Sequence, residues 1–189
     1  MEIATNVARL KGRVKSLPSF SHTIHDEDFY LFQIEVERLS GCFDIINITL
    51  SEKLFKFCTL NIDDIIEVSG QFRSYNNYSG VGNKLILTLF AQDIFHIQKD
   101  ELIENPNTIY LNGFICKPPI YRKTPFGREI SDILVAVNRA YNKSDYIPCI
   151  CWGRNARYAS SFKVGERCAV WGRIQSREYM KKLDEENVE

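Results

Sequence analysis

The sequence lacks a long hydrophobic run: no segment approaches the roughly 20 apolar residues that a membrane-spanning helix requires. The first ten residues, MEIATNVARL, contain no basic stretch followed by an apolar one, so no secretory signal peptide is predicted. No two of the six cysteines form a C-x-x-C pair, and Cys149 and Cys151 would share one face of a strand, where a disulfide is geometrically awkward. We therefore expect reduced cysteines in the core and a cytoplasmic protein without membrane contact.

Signatures of catalysis are also missing. The chain has no phosphate-binding P-loop and no nucleophile elbow, so neither ATP use nor hydrolase chemistry is indicated. Two histidines lie near carboxylates in the segment from His22 to Asp28, which could suggest a metal site. Because the segment is loop-like and offers no evident third ligand, a solvated turn is the preferred interpretation. We predict a non-enzyme that needs no cofactor and no metal.

The net charge is also zero, but acidic and basic residues are unevenly distributed along the chain. Residues 1–105 carry 10 Lys and Arg against 15 Asp and Glu, whereas residues 106–189 carry 14 against 9. Up to Lys182 the second part has 14 basic and only 5 acidic residues. This asymmetry indicates an anionic partner for the second part alone, the alternative being surface charge scattered for solubility.

The chain repeats itself at an offset of about 101 residues, a period typical of a duplicated small domain. Three pairs of segments match in the same order: Ala8–Val14 with Ile109–Ile115, Val36–Arg38 with Val137–Arg139, and Val68–Ser74 with Val170–Ser176. A polar, proline-containing segment from Lys99 to Thr108 separates the two copies, as expected of a linker. We predict two domains, comprising residues 1–104 and 105–189.

Within each copy, alternating apolar residues predict strands, at Leu31–Val36, Asp44–Leu50, Ile65–Tyr75, Lys84–Ile97, Ile109–Ile115, Ile130–Val137, Tyr146–Trp152 and Arg167–Tyr179. One short helix follows the third strand of each copy, near Glu52–Leu60 and Arg154–Phe162. This order predicts an all-β protein of two tandem OB-folds, which are five-stranded, partly open barrels. After Tyr179 only MKKLDEENVE remains, so we expect the second barrel to lack its closing strand in this chain.

Three motifs of the second copy resemble the bacterial single-stranded DNA-binding protein family. They are LVAVNR (Leu134–Arg139), WGR (Trp152–Arg154) and GRIQSREY (Gly172–Tyr179), in the family's order. The resemblance implies sequence-independent binding and protection of single-stranded DNA in replication, recombination or repair. It also implies four barrels per assembly, hence a homodimer of this two-barrel chain, located on the nucleoid with replication or repair proteins as further partners.

Aromatic residues of the second copy are the candidates for base stacking. On the third strand Tyr146 and Trp152 share the outer face with Pro148 and Ile150, while the small apolar residues between them face the core. Aligned on the motifs, the family's stacking positions fall at Tyr141, Tyr146, Trp152 and Tyr179. The alternative is that these rings pack the barrel or a subunit contact. Trp171 is either a further stacking ring or a contact between barrels.

Cations accompany these rings and predict contacts to phosphate. The candidate nucleic-acid ligands are Arg139, Lys143, Arg173, Arg177, Arg122 and Lys123. Arg173 and Arg177 are expected to alternate on the fourth strand, and Arg122 and Lys123 to precede a turn between the first two strands. Arg154 and Arg157 are equally consistent with surface charge and with phosphate binding.

The first copy keeps the strand pattern but not the binding residues. Tyr141 aligns with Ser40, Tyr146 with about Asp44 and Trp152 with Leu50, and the hairpins carry acidic residues that would repel phosphate. We therefore predict a largely architectural role for residues 1–104. Two alternative functions stay open: a primosomal-type OB protein-interaction scaffold, and an RNA-binding OB module.

Overall fold

The computed structural model describes residues 4–76, 85–98 and 105–177. The first half contains six strands and one helix: β1 (Asn6–Val14), β2 (Ser19–Ile24), β3 (Glu27–Glu37), β4 (Phe43–Ser51), α1 (Glu52–Phe57), β5 (Ile65–Asn76) and β6 (Leu85–His96). The second half contains β7 (Asn107–Ile115), β8 (Ile120–Lys123), β9 (Glu129–Arg139), β10 (Lys143–Trp152), α2 (Arg154–Ala159) and β11 (Arg167–Gly172). The prediction of an all-β protein is confirmed.

The first half closes into a five-stranded barrel. Strand β1 pairs antiparallel with β5 and with β3, β3 pairs with β4, and β5 pairs with β6. The ring is completed by a short parallel contact between β4 and β6, at Ile48 and Leu89. Both of these side chains are fully buried, so closure by β6 seals the core on this side.

The second half repeats this order as far as β11, with β7 pairing both β9 and β11, and β9 pairing β10. In residues 105–177 no strand follows β11, so nothing there joins β10 to β11 as β6 joins β4 to β5. Cys149 and Cys151 are therefore only half-buried, whereas their first-half counterparts Ile48 and Leu50 are fully buried. The expected open second barrel is thus observed over the described residues.

The two halves join through their first strands. β1 and β7 pair antiparallel with Ala8 opposite Ile109. Since these two residues are also equivalent in the repeat, the pair lies on a pseudo-two-fold axis that exchanges the halves. Their side chains are buried in one apolar cluster that includes residues of both barrels, so the halves share a core.

Beside this junction, an asparagine of each half bonds a residue of its own half, in symmetry-related positions. Asn6 exchanges two hydrogen bonds with the backbone of Phe72, donating from Nδ2 at 2.7 Å and accepting at Oδ1 at 2.9 Å. Asn107 makes the same two bonds to Ile174, at 2.6 and 2.8 Å. All four residues are buried. A buried side-chain amide that bonds both the backbone N–H and the backbone C=O of one residue fixes that residue in place.

Several details differ from the sequence-based expectations. β11 ends at Gly172 instead of Tyr179, because the segment after it has no neighbouring strand among the described residues and is held by side chains such as Asn107. Strands β2 and β8 were not predicted, since both are exposed along most of their length and show no apolar alternation. Both helices have six residues, shorter than predicted, and none of the described helices is long or apolar enough to cross a membrane.

The cysteines are free, as predicted, but only Cys168 is fully buried, and Cys42 is exposed after β3. The expectation that all are core residues is therefore wrong. Burial raises the pKa of the Cys149 thiol to about 12, which keeps this thiol protonated and unreactive at neutral pH.

Candidate nucleic-acid interface

The outer face of β10 presents the row of rings that the sequence predicted. Tyr146 and Trp152 are 47% and 44% exposed, and Ile150 between them is exposed too. Asp145 and Ile147, which point to the opposite face, are buried. The predicted alternation of this strand is confirmed, and the row offers flat apolar surface to an extended ligand.

Tyr141 lies at the tip of the hairpin between β9 and β10. Tyr141 and Asn142 have φ angles of 62° and 55°, so both adopt the left-handed conformation in the three-residue loop between the paired residues Arg139 and Lys143. Tyrosine rarely adopts this conformation, and the Tyr141 side chain is 93% exposed. The turn therefore projects an uncovered ring beyond the end of the β10 row.

Tyr146 is held at the junction by the first half of the chain. Its N–H donates to Ser74 Oγ at 2.7 Å, while the Ser74 N–H donates to Asp145 Oδ1 at 3.0 Å. Ser176 makes the symmetry-related contacts, since its N–H donates to Asp44 Oδ1 at 2.8 Å and its Oγ accepts from the Ile45 N–H at 2.9 Å.

These contacts correct the alignment of the two copies. Because Ser74 and Ser176 bond Tyr146 and Ile45 in the same way, the counterpart of Tyr146 is Ile45 and not Asp44. By the same register Trp152 corresponds to Ser51, not Leu50. The one-residue shift matters, because neighbouring residues of a strand point to opposite faces.

Arg139 faces the interior of the junction instead of solvent. Its side chain is 18% exposed, pairs with the buried Asp145 at 3.7 Å and lies 5.8 Å from the centre of the Tyr75 ring. Arg38 and Asp44 form the equivalent pair in the first half, with Arg38 Nε donating at 2.8 Å. This position suits a residue that orients the hairpin better than one that contacts ligand directly.

Arg173 and Arg177 follow β11 and do not alternate on it, contrary to the prediction. Ser176 fixes this segment against Asp44, so both arginines lie beside the first half. Arg173 lines a cavity of about 270 Å³ together with Glu37 and Arg38. Arg177 lines a groove of about 410 Å³ with Ile45 and Ile86. Neither cavity includes Tyr146 or Trp152 among its lining residues.

The remaining candidates are divided. Arg122 forms an ion pair with Asp132 across β8 and β9, and Lys123 beside it is exposed. Lys143 is exposed at the start of β10, close in sequence to Tyr141. Tyr179 lies outside the described residues.

The two halves differ in how many of their lysines and arginines are paired with carboxylates. In residues 4–76 and 85–98 every lysine and arginine except Arg73 lies within ion-pair distance of a carboxylate. In residues 105–177 only Arg122, Arg139 and Arg157 do so. Those described there without a carboxylate partner are Lys117, Lys123, Arg128, Lys143, Arg154, Lys163, Arg167, Arg173 and Arg177. The second half therefore carries most of the positive charge that an anionic ligand could neutralise.

The first half lacks rings at the positions of Tyr141, Tyr146 and Trp152, where it has Ser40, Ile45 and Ser51. It has other ring contacts that the sequence did not reveal, since they depend on the packing of β3 against α1 and on the pairing of β2 with β3. Tyr30 stacks on Phe55 at 4.3 Å, and His22 stacks on Phe29 at 5.1 Å. No group of three His, Cys, Asp or Glu within the described ranges is arranged to hold a metal.

Trp171 is 74% exposed on β11 and lies 4.8 Å from the Tyr110 ring on β7. The register places Tyr110 opposite Trp171 on one side and Val7 on the other. Val7 and Trp171 are exposed and Tyr110 between them is half-buried, and the three form an apolar row on the outer face of the sheet that joins the halves. The ring contact of Trp171 is thus with a residue of its own half.

Comparison with known proteins identifies the second half. The sequence model of the "Single-strand binding protein family" matches residues 106–189. The second half of the chain is similar to this family. A stretch of 80 residues is 36% identical to single-stranded DNA-binding protein 2 of Listeria innocua and 35% identical to single-stranded DNA-binding protein A of Bacillus subtilis. Each alignment covers 39% of this chain, and 50% and 46% of the relatives, so the chain spans about half their length.

The fold likeness extends further than the sequence likeness. The crystal structure of the wild-type single-stranded DNA-binding protein from Thermus aquaticus superposes with a TM-score of 0.76 over 90% of this chain and 84% of that one. Identity is 19%, so this match shows the fold alone. It nonetheless covers both halves, whereas the single-strand binding family's sequence model covers only the second.

Proposed function

We propose that this protein binds single-stranded DNA without sequence preference and protects it during replication, recombination or repair. Residues 105–189 are the binding half, and residues 1–104 are largely architectural. The observation that carries the proposal is the exposed row of Tyr146 and Trp152 in a half whose cations are mostly unpaired. Rings stack on any base and cations follow the backbone, so the pair of features suits binding that is independent of sequence.

In this proposal all contacts between the protein and DNA are non-covalent. Trp152, Tyr146 and Tyr141 each receive a base along the strand, and Tyr179 adds a further ring. Lys143 and Lys123 contact phosphates directly because both are exposed. Arg122 contributes once its ion pair with Asp132 opens, and Arg139 orients the hairpin that carries Tyr141. Arg173 and Arg177 meet the strand only where it passes the first half. Loss of condensed counterions then drives binding and makes the affinity fall as salt rises.

The proposal includes a homodimer with four barrels, located at the nucleoid. The apolar row of Val7, Tyr110 and Trp171 supports it, since this row lies beside the pseudo-two-fold axis and a two-fold interface requires a self-complementary patch. A second chain placed against this face would cover Trp171 and leave the outer face of β10 free for DNA.

Tryptophan fluorescence tests the binding proposal, because Trp152 and Trp171 are the only two tryptophans. In a Trp171→Phe background the signal reports Trp152 alone, and titration with oligo(dT) at low salt is expected to quench it to a stoichiometric endpoint. Replacing Trp152 with Ala in otherwise wild-type protein should weaken binding roughly 5- to 150-fold, the affinity equivalent of about 1–3 kcal/mol of lost stacking. High salt should reverse the quenching.

The outcomes separate the alternatives. Absence of quenching at low salt, with the fold verified by circular dichroism, contradicts DNA binding and favours a protein-interaction scaffold. Tighter binding of oligo(rU) than of oligo(dT) at equal length would favour an RNA-binding module instead. Trp152→Phe is the matched control, because it keeps a stacking ring and should retain most of the affinity.

A further inference from the structure

We infer that the first half takes part in the nucleic-acid path through Arg73 and Tyr75, which receive the nucleotides that leave Tyr146 at the junction. This inference rests on the proposed function of the second half. It assigns a direct contact with DNA to a half whose strand pattern and acidic hairpins suggest architecture alone.

Arg73 differs from the other described cations of the first half because no carboxylate neutralises its charge. In residues 4–76 and 85–98 it is the one cation without a carboxylate within ion-pair distance. Its guanidinium lies 3.7 Å from the centre of the Phe90 ring and donates from Nη2 to Gln71 Oε1 at 2.9 Å. Burial lowers the pKa of Arg73, but arginine stays protonated in proteins, so a half-buried positive charge remains.

The groups around Arg73 leave its charge available. Asp145 attracts the guanidinium electrostatically, but this carboxylate already accepts from the Ser74 N–H and is paired with Arg139. The nearby Tyr75 hydroxyl also interacts with Arg73. A guanidinium held flat on a ring and lacking an anion of its own is preorganised for a phosphate, which it can bind through two N–H groups.

Arg73 and Tyr75 lie close to Tyr146 of the other half. Tyr75 follows Ser74, and Ser74 Oγ accepts the N–H of Tyr146 from the other half at 2.7 Å. Arg73 and Tyr75 share the outer face of β5, where alternate residues are half-buried and not enclosed in the core. A strand lying along the outer face of β10 therefore meets a ring and a cation of the first half directly after Tyr146.

The two symmetry-related sides of the junction carry different residues at these positions. In the repeat Arg73 corresponds to Gln175, Tyr75 to Arg177 and Gln71 to Arg173. The opposite side of the junction thus has no ring at the position of Tyr75 and has Ile45 at the position of Tyr146. The combination of two rings and an unpaired cation occurs on one side only, which is unnecessary for the symmetric contacts that hold the halves together.

Arg73→Gln tests the phosphate contact, with Arg13→Gln as the control, because Arg13 is on the same half but is paired with Asp63 at 3.5 Å. The oligomers are a short one of about 8 nucleotides, within one barrel's span, and a long one of about 20. With the long oligomer, Arg73→Gln should reduce the salt slope of log K by about 0.7, as expected for one phosphate of a single strand. The short oligomer and the control should behave as wild type.

Photocrosslinking of the wild-type protein tests the same contact without a substitution. Oligo(dT) containing 4-thiothymidine, at a length of about 20 nucleotides, is expected to yield crosslinked peptides containing Tyr75 in addition to those containing Tyr146 or Trp152. Crosslinks confined to the second half, or an unchanged salt slope in folded Arg73→Gln, would overturn the inference and leave DNA binding by the second half intact. Loss of all crosslinks and of Trp152 quenching would instead overturn the proposed function, and this inference with it.

Discussion

At the scale of single residues, the junction depends on two buried carboxylates that bond across the halves. Asp44 accepts from Arg38 Nε at 2.8 Å and from the Ser176 N–H at 2.8 Å. Burial alone would raise the pKa of Asp44, but the bonds from Arg38 and Ser176 outweigh it, and the pKa lies below its usual value. The ionised carboxylate is thus stabilised by folding.

Asp44→Asn should therefore destabilise the protein, by about 3 kcal/mol, because it leaves the Arg38 charge without its buried partner. Since the pKa of Asp44 is lowered in the folded state, its contribution to stability is present above the unfolded pKa of about 4 and is lost as pH falls through the folded value. Urea unfolding at pH 7 and at pH 3 measures both effects. Asp63→Asn, which removes an exposed ion pair, should cost less than about 1 kcal/mol. An equal loss in both variants would contradict the assignment.

The exposure of a side chain could be predicted from the sequence where it follows from the alternation of one strand. Tyr146 and Trp152 lie on the exposed face because period-2 alternation decides it, and the structure agrees. Arg139 could not be placed, because its partners Asp145 and Tyr75 are brought to it by strand pairing and by the other half. Arg73 was not singled out, because the pairing of the other first-half cations is visible only in three dimensions.

At the scale of elements, strand positions were predictable where one face is buried. β2 and β8 escaped prediction because neither has a buried face. The end of β11 escaped prediction because a strand is defined by its neighbour, and the segment from 173 to 177 is bonded by side chains of both halves instead. Its counterpart in β5 pairs with β6 along its whole length.

The bend of β5 requires Gly70, which lies at the register shift between β5 and β6. A Cβ at this position would overlap the carbonyl oxygen of Phe90, a backbone atom that cannot move aside cheaply. Gly70→Ala should lower the free energy of unfolding by about 2 kcal/mol or more, as measured by urea denaturation. Gly172→Ala is the control, because a Cβ there meets nothing within 4 Å. Similar stability of both variants would show that the bend relaxes freely.

At the scale of the whole molecule, duplication was predictable but the geometry of the junction was not. The repeat offset of 101 residues predicts two equivalent barrels, and antiparallel pairing of β1 with β7 then places Ala8 against its own equivalent, Ile109. The chain is therefore a pseudo-dimer, and its outer sheet face lies beside that axis. The sequence offers Trp171 as a contact between barrels without stating which barrels, and the structure shows it exposed within one chain.

Homodimer formation through this face predicts that Trp171→Glu dissociates the protein. A charge in the centre of a buried two-fold patch meets its own copy, and such unpaired charges cost several kcal/mol. Light scattering should give twice 21.9 kDa for the wild type and 21.9 kDa for the variant. Phe57→Glu changes an even more exposed ring on α1, away from the sheet face, and should remain dimeric.

The same variant separates assembly from binding. Because Trp152 and Tyr146 lie on β10 and not on the face of Trp171, a monomeric Trp171→Glu protein should still bind a short oligomer of about 8 nucleotides with wild-type affinity. A long oligomer of about 40 nucleotides, which can reach both chains of a dimer, should bind more weakly to the variant, since a second contact raises the effective concentration. A wild-type protein of 21.9 kDa would contradict the dimer, and weak binding of both oligomers by the variant would place Trp171 in the DNA path instead.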